Sequence, residues 1–550
     1  MSPRRRHAGS PRSRSRSRPA PIHDAVRRTR HRLRKLRRPA SSASKASSAE
    51  INSATCQQGD ISQDVRNMRQ ELVFEKLPED ILHRIHSLLP VQDAACAACV
   101  SRGFLRSWRC YSNLKLNDRT LRLTDRKFEE RKIHVIDKVD KIIKNHYDNG
   151  VKVKTLKLDI ASCSNIKGSY LDKWLRMTFK SGIEELNLEM PLEMKKNYSF
   201  PCSLLSDEAA ASTIRSLRLL ACAFQPTSTL GLLRRLKFLN LALVHITEEG
   251  LGHLLSKSSA LERLEIVGCD GIVFLKIPCT LQKLKFLTVT KCKMLQVIEI
   301  GAPKLNSFHF GESLLGISVK NPLELKHVNL SSFCMSGILS YARTRIPSIA
   351  RYVESLILLG CSENANTPML PSKLPHLKNL EIRLLVPVVG FSPSYDAFSL
   401  VSFLDASPAL ESFILHVELG AMTHDPVVGD DDEYLRQKLG CQYNCLKLVA
   451  ITGFCSSKSL VELTVHIVES THSLERLTLD TTHGYDSRVG IIGKCPTLRK
   501  IGQCWAMNKR ALEEAHRAVK TAGRYIMGRV PLAVQSEVLE PCSRCHTGNQ

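Results

Sequence analysis

The sequence predicts an α/β protein in which a short three-helix domain precedes an irregular solenoid with a parallel sheet on its concave face and helices and loops outside. Three observations predict this fold: a Leu-x-x-Leu-x-Leu pattern recurs from residue 150 onward, apolar residues at helical spacing follow Leu77-Pro78, and the first fifty residues hold almost no large apolar side chain. The expected boundaries are a disordered tail at 1–70, the three-helix domain at 71–115, a helical linker at 116–149, the solenoid at 150–505, a capping helix at 506–527 and a flexible tail at 528–550.

The N-terminal tail is rich in arginine, serine and proline. Residues 1–50 carry sixteen lysines or arginines against two acids, so the tail holds more than half of the net charge of +26. Such a segment buries too little apolar surface to fold, and we expect it to be disordered. Three roles stay open: a nuclear-localisation or RNA-contacting segment at Arg27 to Arg38 with phosphorylatable Arg-Ser dipeptides, an organelle transit peptide, or a solvated extension without a specific role.

Residues 71–115 fit three short helices. Leu77-Pro78 opens the segment, and Glu79 and Asp80 follow where a helix dipole favours acids. Apolar side chains then recur at helical spacing, at Ile81, Leu82, Ile85, Leu88 and Leu89. Pro90 ends this helix, and two further apolar runs follow at 91–100 and 104–108. A unit of about forty residues buries little surface, so we expect an exposed apolar face that a partner covers.

This segment resembles an F-box domain. The resemblance rests on the Leu-Pro-x-(Glu/Asp)-Ile/Leu-Leu opening, the later Leu-Leu-Pro, and Val100-Ser101-Arg102 at the start of the last helix. It implies docking to the SKP-type adaptor subunit of a cullin-RING ubiquitin ligase by a helix-in-groove contact. The residues that the resemblance assigns to the adaptor face or its support are Leu77, Pro78, Ile81, Ile85, Leu88, Leu89 and Val100. The alternative interpretation is a helical hairpin that caps the following domain.

Thirteen copies of the Leu-x-x-Leu-x-Leu pattern follow, with Ile, Val and Phe as substitutes. They start at Val153, Ile183, Ile214, Leu236, Leu261, Leu284, Leu305, Leu325, Val353, Leu377, Leu410, Leu446 and Leu474, and a weaker copy starts at Leu498. Their spacing of 20 to 36 residues is typical of leucine-rich repeats. No single copy can bury its own leucines, so the copies are expected to stack with their strands parallel. Residues 250–260 and 459–470 are expected to return as helices outside the sheet.

The fifth and seventh residues of each copy should line the concave face, because they alternate with the buried positions four and six. This set has no basic stripe and few aromatic residues, so it does not favour nucleic acid, and it lacks an Arg/Lys cluster for an inositol phosphate. We therefore expect a protein target, of unknown identity. The candidate target-binding residues are Arg218, Asn240, Glu265, Thr288, His309, Asn329, Glu381 and Arg383.

The 19 cysteines are scattered, which favours reduced thiols in the cytosol or nucleus. Four of them lie eight residues after the start of a copy, where a leucine-rich repeat places a side chain that donates to the turn after the strand: Cys222, Cys269, Cys292 and Cys361. Cys96 and Cys99 form C-x-x-C without a second pair, and we expect apolar filler in a helix. Cys542-x-x-Cys545-His546 matches the c-type haem pattern, but its polar terminal context argues against haem, and a zinc half-site is the other reading. We expect no cofactor and no metal.

Catalytic and membrane motifs are missing from the sequence. It contains no Gly-rich phosphate loop, G-x-S-x-G or H-E-x-x-H, so we expect a protein that is not an enzyme. It also has no run of about 18 apolar residues and no secretory leader. The nucleus, the cytoplasm or both are the expected locations.

Taken together, residues 70–527 resemble the large F-box/leucine-rich-repeat family of plants, grasses in particular. The residues that carry this likeness are the F-box, the long irregular repeat array with SLERLTLDTT at 473–482, and the closing helix. The resemblance implies a substrate-recognition subunit of an SCF-type ubiquitin ligase, in which the F-box holds the adaptor and, through it, the cullin. Two alternatives stay open: a repeat-containing interaction scaffold outside any ligase, and a nuclear RNA-associated protein acting through residues 1–50.

Overall fold

The structure is a computed structural model that describes most of residues 77–541. Not described are 125–127, 164–165, 312–315, 320–324, 332–336, 362–365, 386–394, 419–434, 437–439, 441, 483–491, 497–503 and 508. The expectations for the 1–70 tail, the weak copy at Leu498, and Cys542, Cys545 and His546 lie outside the described residues.

The three helices predicted after Leu77-Pro78 are present. They are α1 (Glu79–Leu88), α2 (Val91–Val100) and α3 (Arg102–Trp108). Pro78 and Pro90 occupy the N-cap positions of α1 and α2, where a missing N–H is harmless because the first turn has no acceptor for it. Ser101 caps α3 by accepting a hydrogen bond from the Phe104 N–H at 3.4 Å. Local sequence signals thus determine where each of the three helices of this domain begins.

The strands that follow build a long parallel sheet. They are β1 (Asn113–Leu116), β2 (Thr155–Asp159), β3 (Glu185–Glu189), β4 (Ser216–Leu220), β5 (Phe238–Ala242), β6 (Arg263–Val267), β7 (Phe274–Ile277), β8 (Phe286–Thr290), β9 (Val297–Ile300), β10 (Ser307–Gly311), β11 (Gly316–Val319), β12 (His327–Ser331), β13 (Ser355–Cys361), β14 (Asn379–Leu385), β15 (Ser412–Val417), β16 (Leu448–Thr452), β17 (Arg476–Asp480), β18 (Ile492–Pro496), β19 (Cys504–Met507) and β20 (Gln535–Leu539). The main sheet has 15 strands in the order β1-β2-β3-β4-β5-β6-β8-β10-β12-β13-β14-β15-β16-β17-β20. Each of the thirteen predicted copies supplies one of these strands, and the leucine-rich-repeat prediction is confirmed.

Both end strands of the sheet lie outside the predicted solenoid boundaries. β1, which pairs with β2, lies where the predicted three-helix domain ends at 115 and the predicted linker begins at 116; Tyr111, Leu114 and Leu116 have the repeat spacing with tyrosine in first place. At the other end, β20 pairs with β17 although 528–550 was expected to be flexible. In β20, Ser536 stands opposite the buried Leu477, so the leucine pattern that marks the other strands is missing there. The unpaired backbone edge of β17 supplies the partner instead.

Helices and short strands return the chain on the other side of the sheet. The helices are α4 (Phe128–Asp148), α5 (Gly168–Lys180), α6 (Glu208–Thr213), α7 (Glu248–Ser256), α8 (Ile338–Ile349), α9 (Val401–Ala406), α10 (Lys458–Ser470) and α11 (Lys509–Tyr525), with 3-10 turns at Leu192–Lys195, Cys202–Leu205, Ala397–Leu400 and Met527–Arg529. The predicted return helices at 250–260 and 459–470 correspond to α7 and α10. The predicted closing helix is α11, but it lies between β17 and β20 in the chain, so β20 and not the helix ends the sheet.

Three consecutive short repeats use strands in place of return helices. Copies starting at 261, 284 and 305 are followed by the next start within 20 to 23 residues, and there the outer layer is the three-stranded sheet β11-β9-β7. So few residues leave no room for a helix and two turns after the strand. The pair β18 and β19 is antiparallel and separate from both sheets. No helix in the described ranges is long and apolar enough to cross a membrane.

Two glycines near α7 are expected to respond to alanine in opposite directions. Gly271 has φ +87°, and a Cβ there would lie 2.8 Å from the Ile246 carbonyl oxygen, so Gly271→Ala is expected to lower the free energy of unfolding by about 2 kcal/mol. Gly252 lies inside α7 with open space around it, so Gly252→Ala should raise that free energy by up to about 1 kcal/mol. Urea unfolding midpoints test both, and a shift of the same sign in the two variants would contradict the expectation.

Candidate protein-interaction surfaces

Helix α1 carries an apolar row on its solvent side. Three predicted adaptor residues, Ile81, Ile85 and Leu88, lie on one face of this helix, and Leu77 precedes its N-cap residue Pro78. Leu88 is 71% exposed and Ile81 is 43% exposed, which is unusual for side chains of this size beside a well-packed core. Pro78 is exposed at the start of the same helix. We call Leu77, Ile81, Ile85 and Leu88 the α1 face.

Two other predicted adaptor residues do not belong to the α1 face. Leu89, which is predicted to lie on the adaptor face or to support it, is half-buried and packs against the core. Val100 ends α2, and its side chain lies outside the described part of the structure. The opposite side of α1 presents Leu82 and His86, both buried, to the domain interior. Leu105 of α3 is 39% exposed and is an apolar surface residue that the sequence reading left out.

A buried histidine and aromatic cluster joins the three-helix domain to the solenoid. His86 is fully buried, and its ring lies 5.3 Å from Phe104 and 5.5 Å from Tyr111, the residue that begins the repeat of β1. Trp108 stacks on Tyr111 at 5.3 Å and meets His146 of α4 at 5.0 Å. Aromatic contacts at these separations add to the area they bury. We call His86, Phe104, Trp108, Tyr111 and His146 the junction cluster.

Hydrogen bonds fix the tautomer of His86. Its Nε2–H donates to the Ala94 carbonyl at 2.8 Å, so Nδ1 accepts from the Ser107 hydroxyl at 2.9 Å. The same hydroxyl oxygen lies 2.9 Å from Nδ1 of His83, which then acts as its donor. The ring therefore ties α1 to both α2 and α3 while neutral. Sequence periodicity does not distinguish such a histidine from a surface one, because its neighbours in space come from other helices.

Acid is expected to loosen this junction. Burial lowers the pKa of His86 and of His146 below the usual value of 6.5. The folded state therefore binds fewer protons than the unfolded state, so its stability is complete above pH 6.5 and declines as the pH falls below that value. We expect the thermal midpoint to drop between pH 7.5 and 5.5, and to drop less in a His146→Phe variant. An equal drop in both proteins would contradict the role of His146.

The predicted target-binding residues lie in register on one side of the sheet. The fifth residues of successive repeats stand opposite one another on neighbouring strands, from Lys115 on β1 to Glu537 on β20. The third and seventh residues of each repeat share their face. This row includes Arg218, Asn240, Glu265, Thr288, His309, Asn329 and Glu381, with Arg383 at a seventh position. We call the side of the sheet that carries residues three, five and seven the open face.

Polar contacts within strands and between neighbouring strands preorganise several of these side chains. The Asn240 amide donates to Glu265, and Arg383 donates to Glu381, which also lies 3.4 Å from Nε2 of His416. His309 lies 3.5 Å from the Ser331 hydroxyl, and burial lowers its pKa, so it is neutral at pH 7. Held side chains lose less entropy on binding than free ones.

The sequence reading of the open face left out the third position of each repeat. Phe238 of β5, Arg263 of β6 and Phe286 of β8 occupy this position and stand side by side across three strands. Arg263 lies over the Phe286 ring at 4.5 Å, and Arg218 lies over the Phe238 ring at 4.3 Å. The sequence alone was sufficient to include this position, because alternate residues of a strand face the same side of the sheet, and position three therefore shares its side with positions five and seven.

Charged residues alternate along the edge where the strands begin. The second residues of successive copies are joined by backbone hydrogen bonds and read Lys154, Glu184, Arg215, Lys237, Glu262, Lys285, Asn306, Lys326, Glu354, Lys378, Glu411, Lys447 and Glu475. Neighbours pair at 3.1 Å for Arg215 and Glu184 and at 2.8 Å for Lys326 and Glu354. Hydrogen bonds from Lys237 and Lys326 lower the pKa of Glu262 and Glu354. We call this row the charged edge; its cations are largely neutralised within the chain.

The buried cysteines match the role expected for the repeats. The Cys269 thiol donates to the Leu241 carbonyl at 3.4 Å, and Cys292 donates to the Thr290 carbonyl at 3.5 Å. Burial raises the pKa of Cys222 and Cys269 to about 12, which makes both thiols unreactive at pH 7. Cys96 and Cys99 are exposed on α2 and are not apolar filler. Within the described ranges, no cluster of three or more Cys, His, Asp or Glu side chains could hold a metal ion.

Comparison with known proteins agrees with this architecture. Residues 74–115 match the F-box domain, and residues 142–543 match the family described as At1g61320/AtMIF1, LRR domain. No curated protein matches the sequence. Among solved structures, an internalin (inlF) from Listeria monocytogenes is similar at 12% identity over 62% of this chain and 94% of that one, with a TM-score of 0.30, from which nothing further follows. Because the repeat match alone spans more than half of the sequence, the chain belongs to the At1g61320/AtMIF1 family of plant F-box/leucine-rich-repeat proteins.

Proposed function

We propose that this protein is the substrate-recognition subunit of an SCF-type cullin-RING ubiquitin ligase. The F-box would bind the SKP-type adaptor, and through it the cullin, while the open face binds a protein target. The observation that carries the proposal is the α1 face, where Leu88 and Ile81 stay exposed on a matched F-box domain although equally apolar Leu82 is buried. F-box/leucine-rich-repeat architecture is typical of non-catalytic adaptors.

The junction cluster gives this proposal a mechanical basis. A ligase receptor accelerates ubiquitin transfer by holding the target near a charged conjugating enzyme, so the gain depends on how well the relative position is kept. Here the last F-box helix continues through Tyr111 into β1, and Trp108 packs on α4 through His146. A firm connection of this kind would keep the α1 face at a fixed distance and angle from the open face. The chain itself would bind and orient, and would make no bonds.

Capture of a SKP-type adaptor tests the proposal. Leu88→Asp and Ile81→Asp each place a charge where an apolar contact is proposed, and we expect each to weaken adaptor binding by roughly a hundredfold. Leu77→Ala with Pro78→Ala should also reduce it. Met294→Asp is the matched control, because Met294 is 57% exposed on the solenoid and lies outside the F-box. Isothermal titration calorimetry, with the purified adaptor titrated into each variant, provides the dissociation constants.

The proposal fails if the intact chain does not bind the adaptor, or if the α1-face variants bind it as well as the Met294→Asp control. In the first outcome the chain would be an interaction scaffold outside any ligase.

For the nuclear RNA alternative, the matching experiment removes residues 1–50. If RNA association in the nucleus persists without them, the tail has no part in it.

A further inference from the structure

The open face holds one cluster in which aromatic and cationic side chains are stacked. Arg218, Phe238, Arg263 and Phe286 lie on the adjacent strands β4, β5, β6 and β8, and we call them the Arg–Phe patch. In each of its two pairs the guanidinium carbon lies within 4.5 Å of a ring centroid. Phe286 is 38% exposed and the Arg263 side chain 47%, so the patch is accessible from solvent.

Stacking prepares both arginines to bind an oxyanion. A guanidinium held against a ring keeps its N–H donors directed outward in a fixed plane, which fits the two oxygens of a carboxylate or phosphate. Arg218 makes no ion pair at 4.0 Å or less with any residue in the described ranges. Arg263 is 3.6 Å from Glu265, whose other oxygen accepts from the Asn240 amide. The Glu265 charge is thus shared, and Arg263 is only partly neutralised.

The surroundings of the patch hold a small excess of cations. At the second, third and fifth positions of the repeats of β4, β5, β6 and β8, five cationic side chains lie beside two acidic ones: Arg215, Arg218, Lys237, Arg263 and Lys285 against Glu262 and Glu265. Arg215 pairs with Glu184 of the preceding repeat and Lys237 pairs with Glu262, so the excess comes from Arg218, Lys285 and the partly neutralised Arg263. Elsewhere on the fifth-residue row the next positions are Thr288, His309 and Asn329, which carry no full charge at pH 7. The positive field is therefore local and does not extend along the sheet as nucleic acid would require.

The dimensions of the patch fit a short peptide. Four neighbouring strands span roughly 14 Å, which is about four residues of extended chain. The two arginines are two strands apart and offset by two residues along the strand, so their Cα atoms lie roughly 12 Å apart. In a peptide segment with polyproline II geometry, side chains three residues apart lie on the same side and roughly 9 Å apart along the chain, so two anionic groups at that spacing would reach both arginines. The rings between them offer apolar contact to the intervening side chains.

We propose that the Arg–Phe patch binds an acidic linear segment of the target protein, with two carboxylate or phosphate groups about three residues apart. This inference rests on the proposed function, since it specifies the target that the open face recognises. Charge complementarity and spacing favour an acidic peptide segment over RNA as the ligand of the patch. RNA binding is one of the outcomes that the test distinguishes. Glutamate and phosphoserine share the chemistry, and the peptides used in the test distinguish them.

Fluorescence anisotropy with the purified full chain tests this inference. The probes are three pooled fluorescein-labelled peptide libraries with random flanks, in which two positions three residues apart are fixed as serine, glutamate or phosphoserine. We expect the glutamate or phosphoserine library to bind at least roughly tenfold more tightly than the serine library. Arg218→Ala with Arg263→Ala should remove that difference. Arg218→Lys with Arg263→Lys keeps the charge but loses the stacked fork, and it should keep only part of the difference.

Arg476→Ala is the matched control, because Arg476 is an exposed arginine at the third position of its repeat on the open face but lies on β17, seven strands from β8 and outside the Arg–Phe patch. It should bind the acidic libraries like the unaltered chain. The inference is overturned if the acidic libraries bind no better than the serine library, if the double alanine variant binds like the control, or if an oligouridylate binds as tightly as the better acidic library. Adaptor binding measured on the same samples separates the two proposals: a chain that binds the adaptor but not the acidic libraries refutes only this inference.

Discussion

His86→Ala is expected to unfold the F-box while the solenoid stays folded, and to abolish adaptor binding. His86 is fully buried and makes hydrogen bonds to Ala94 and Ser107 that link three helices. Alanine would leave a cavity among aromatic rings and two polar atoms without partners, at a cost of roughly 3–4 kcal/mol. A domain of about forty residues has little stability to spare, so this loss exceeds what its own core can compensate.

Hydrogen exchange read by mass spectrometry measures this effect by segment. In the variant, amides of α1, α2 and α3 should lose protection while those of β3 to β6 keep it. His83→Ala is the control, because His83 is only half-buried and contributes one bond to the same Ser107 hydroxyl. That variant should keep most of its protection and its adaptor binding. If His86→Ala leaves the F-box amides protected, the junction cluster is not what holds this domain.

Arg436→Met is expected to destabilise the C-terminal part of the solenoid by about 3–5 kcal/mol. Glu462 of α10 has a side chain that is fully buried, and Arg436 lies 2.6 Å from it while also bonding Asp396 at 2.7 Å. The hydrogen bonds that Arg436 donates to Asp396, aided by those that it donates to Glu462, raise the pKa of Arg436, so this cation is charged at every pH of interest. Removing it leaves a buried carboxylate without a counterion, which is among the largest single-residue costs known.

The double variant Arg436→Met with Glu462→Leu is expected to regain most of that stability, because an apolar pair of similar volume avoids the desolvation of both charges. Urea unfolding of the single and the double variant measures both changes in stability. A double variant as unstable as the single one would contradict the role assigned to the ion pair.

The repeat pattern predicted most of the main sheet because its rule is local. In each copy the fourth and sixth residues are apolar, and in ten of the thirteen copies the fifth is not; that alternation suffices to make a strand with one buried side. Spacing also resolved the one ambiguous segment: Leu460, Leu463 and Val465 match the strand pattern but lie only 14 residues after Leu446. A full repeat does not fit in that distance, and the segment is α10, as predicted.

The last strand, β20, and the Arg–Phe patch could not be obtained in the same way. β20 has serine where the pattern requires leucine, and only the free edge of β17 selects it as a strand. Phe238 and Phe286 are 48 residues apart in sequence, and they flank Arg263 only because β5, β6 and β8 are adjacent and β7 belongs to another sheet. Contacts of this kind depend on strand order, which the repeat pattern does not state.

The sequence by itself determined the F-box, the repeat architecture and which residue of each repeat faces inward, because helical spacing, strand alternation and proline positions act within a few residues. The tertiary structure decided the rest. In α1 it leaves Ile81 and Leu88 exposed to solvent and buries Leu82 and His86. It also joins the F-box to the solenoid through buried rings and stacks two arginines on phenylalanine rings of neighbouring strands. These features bring together residues distant in the chain, so their energies exist only once the sheet and helices have packed.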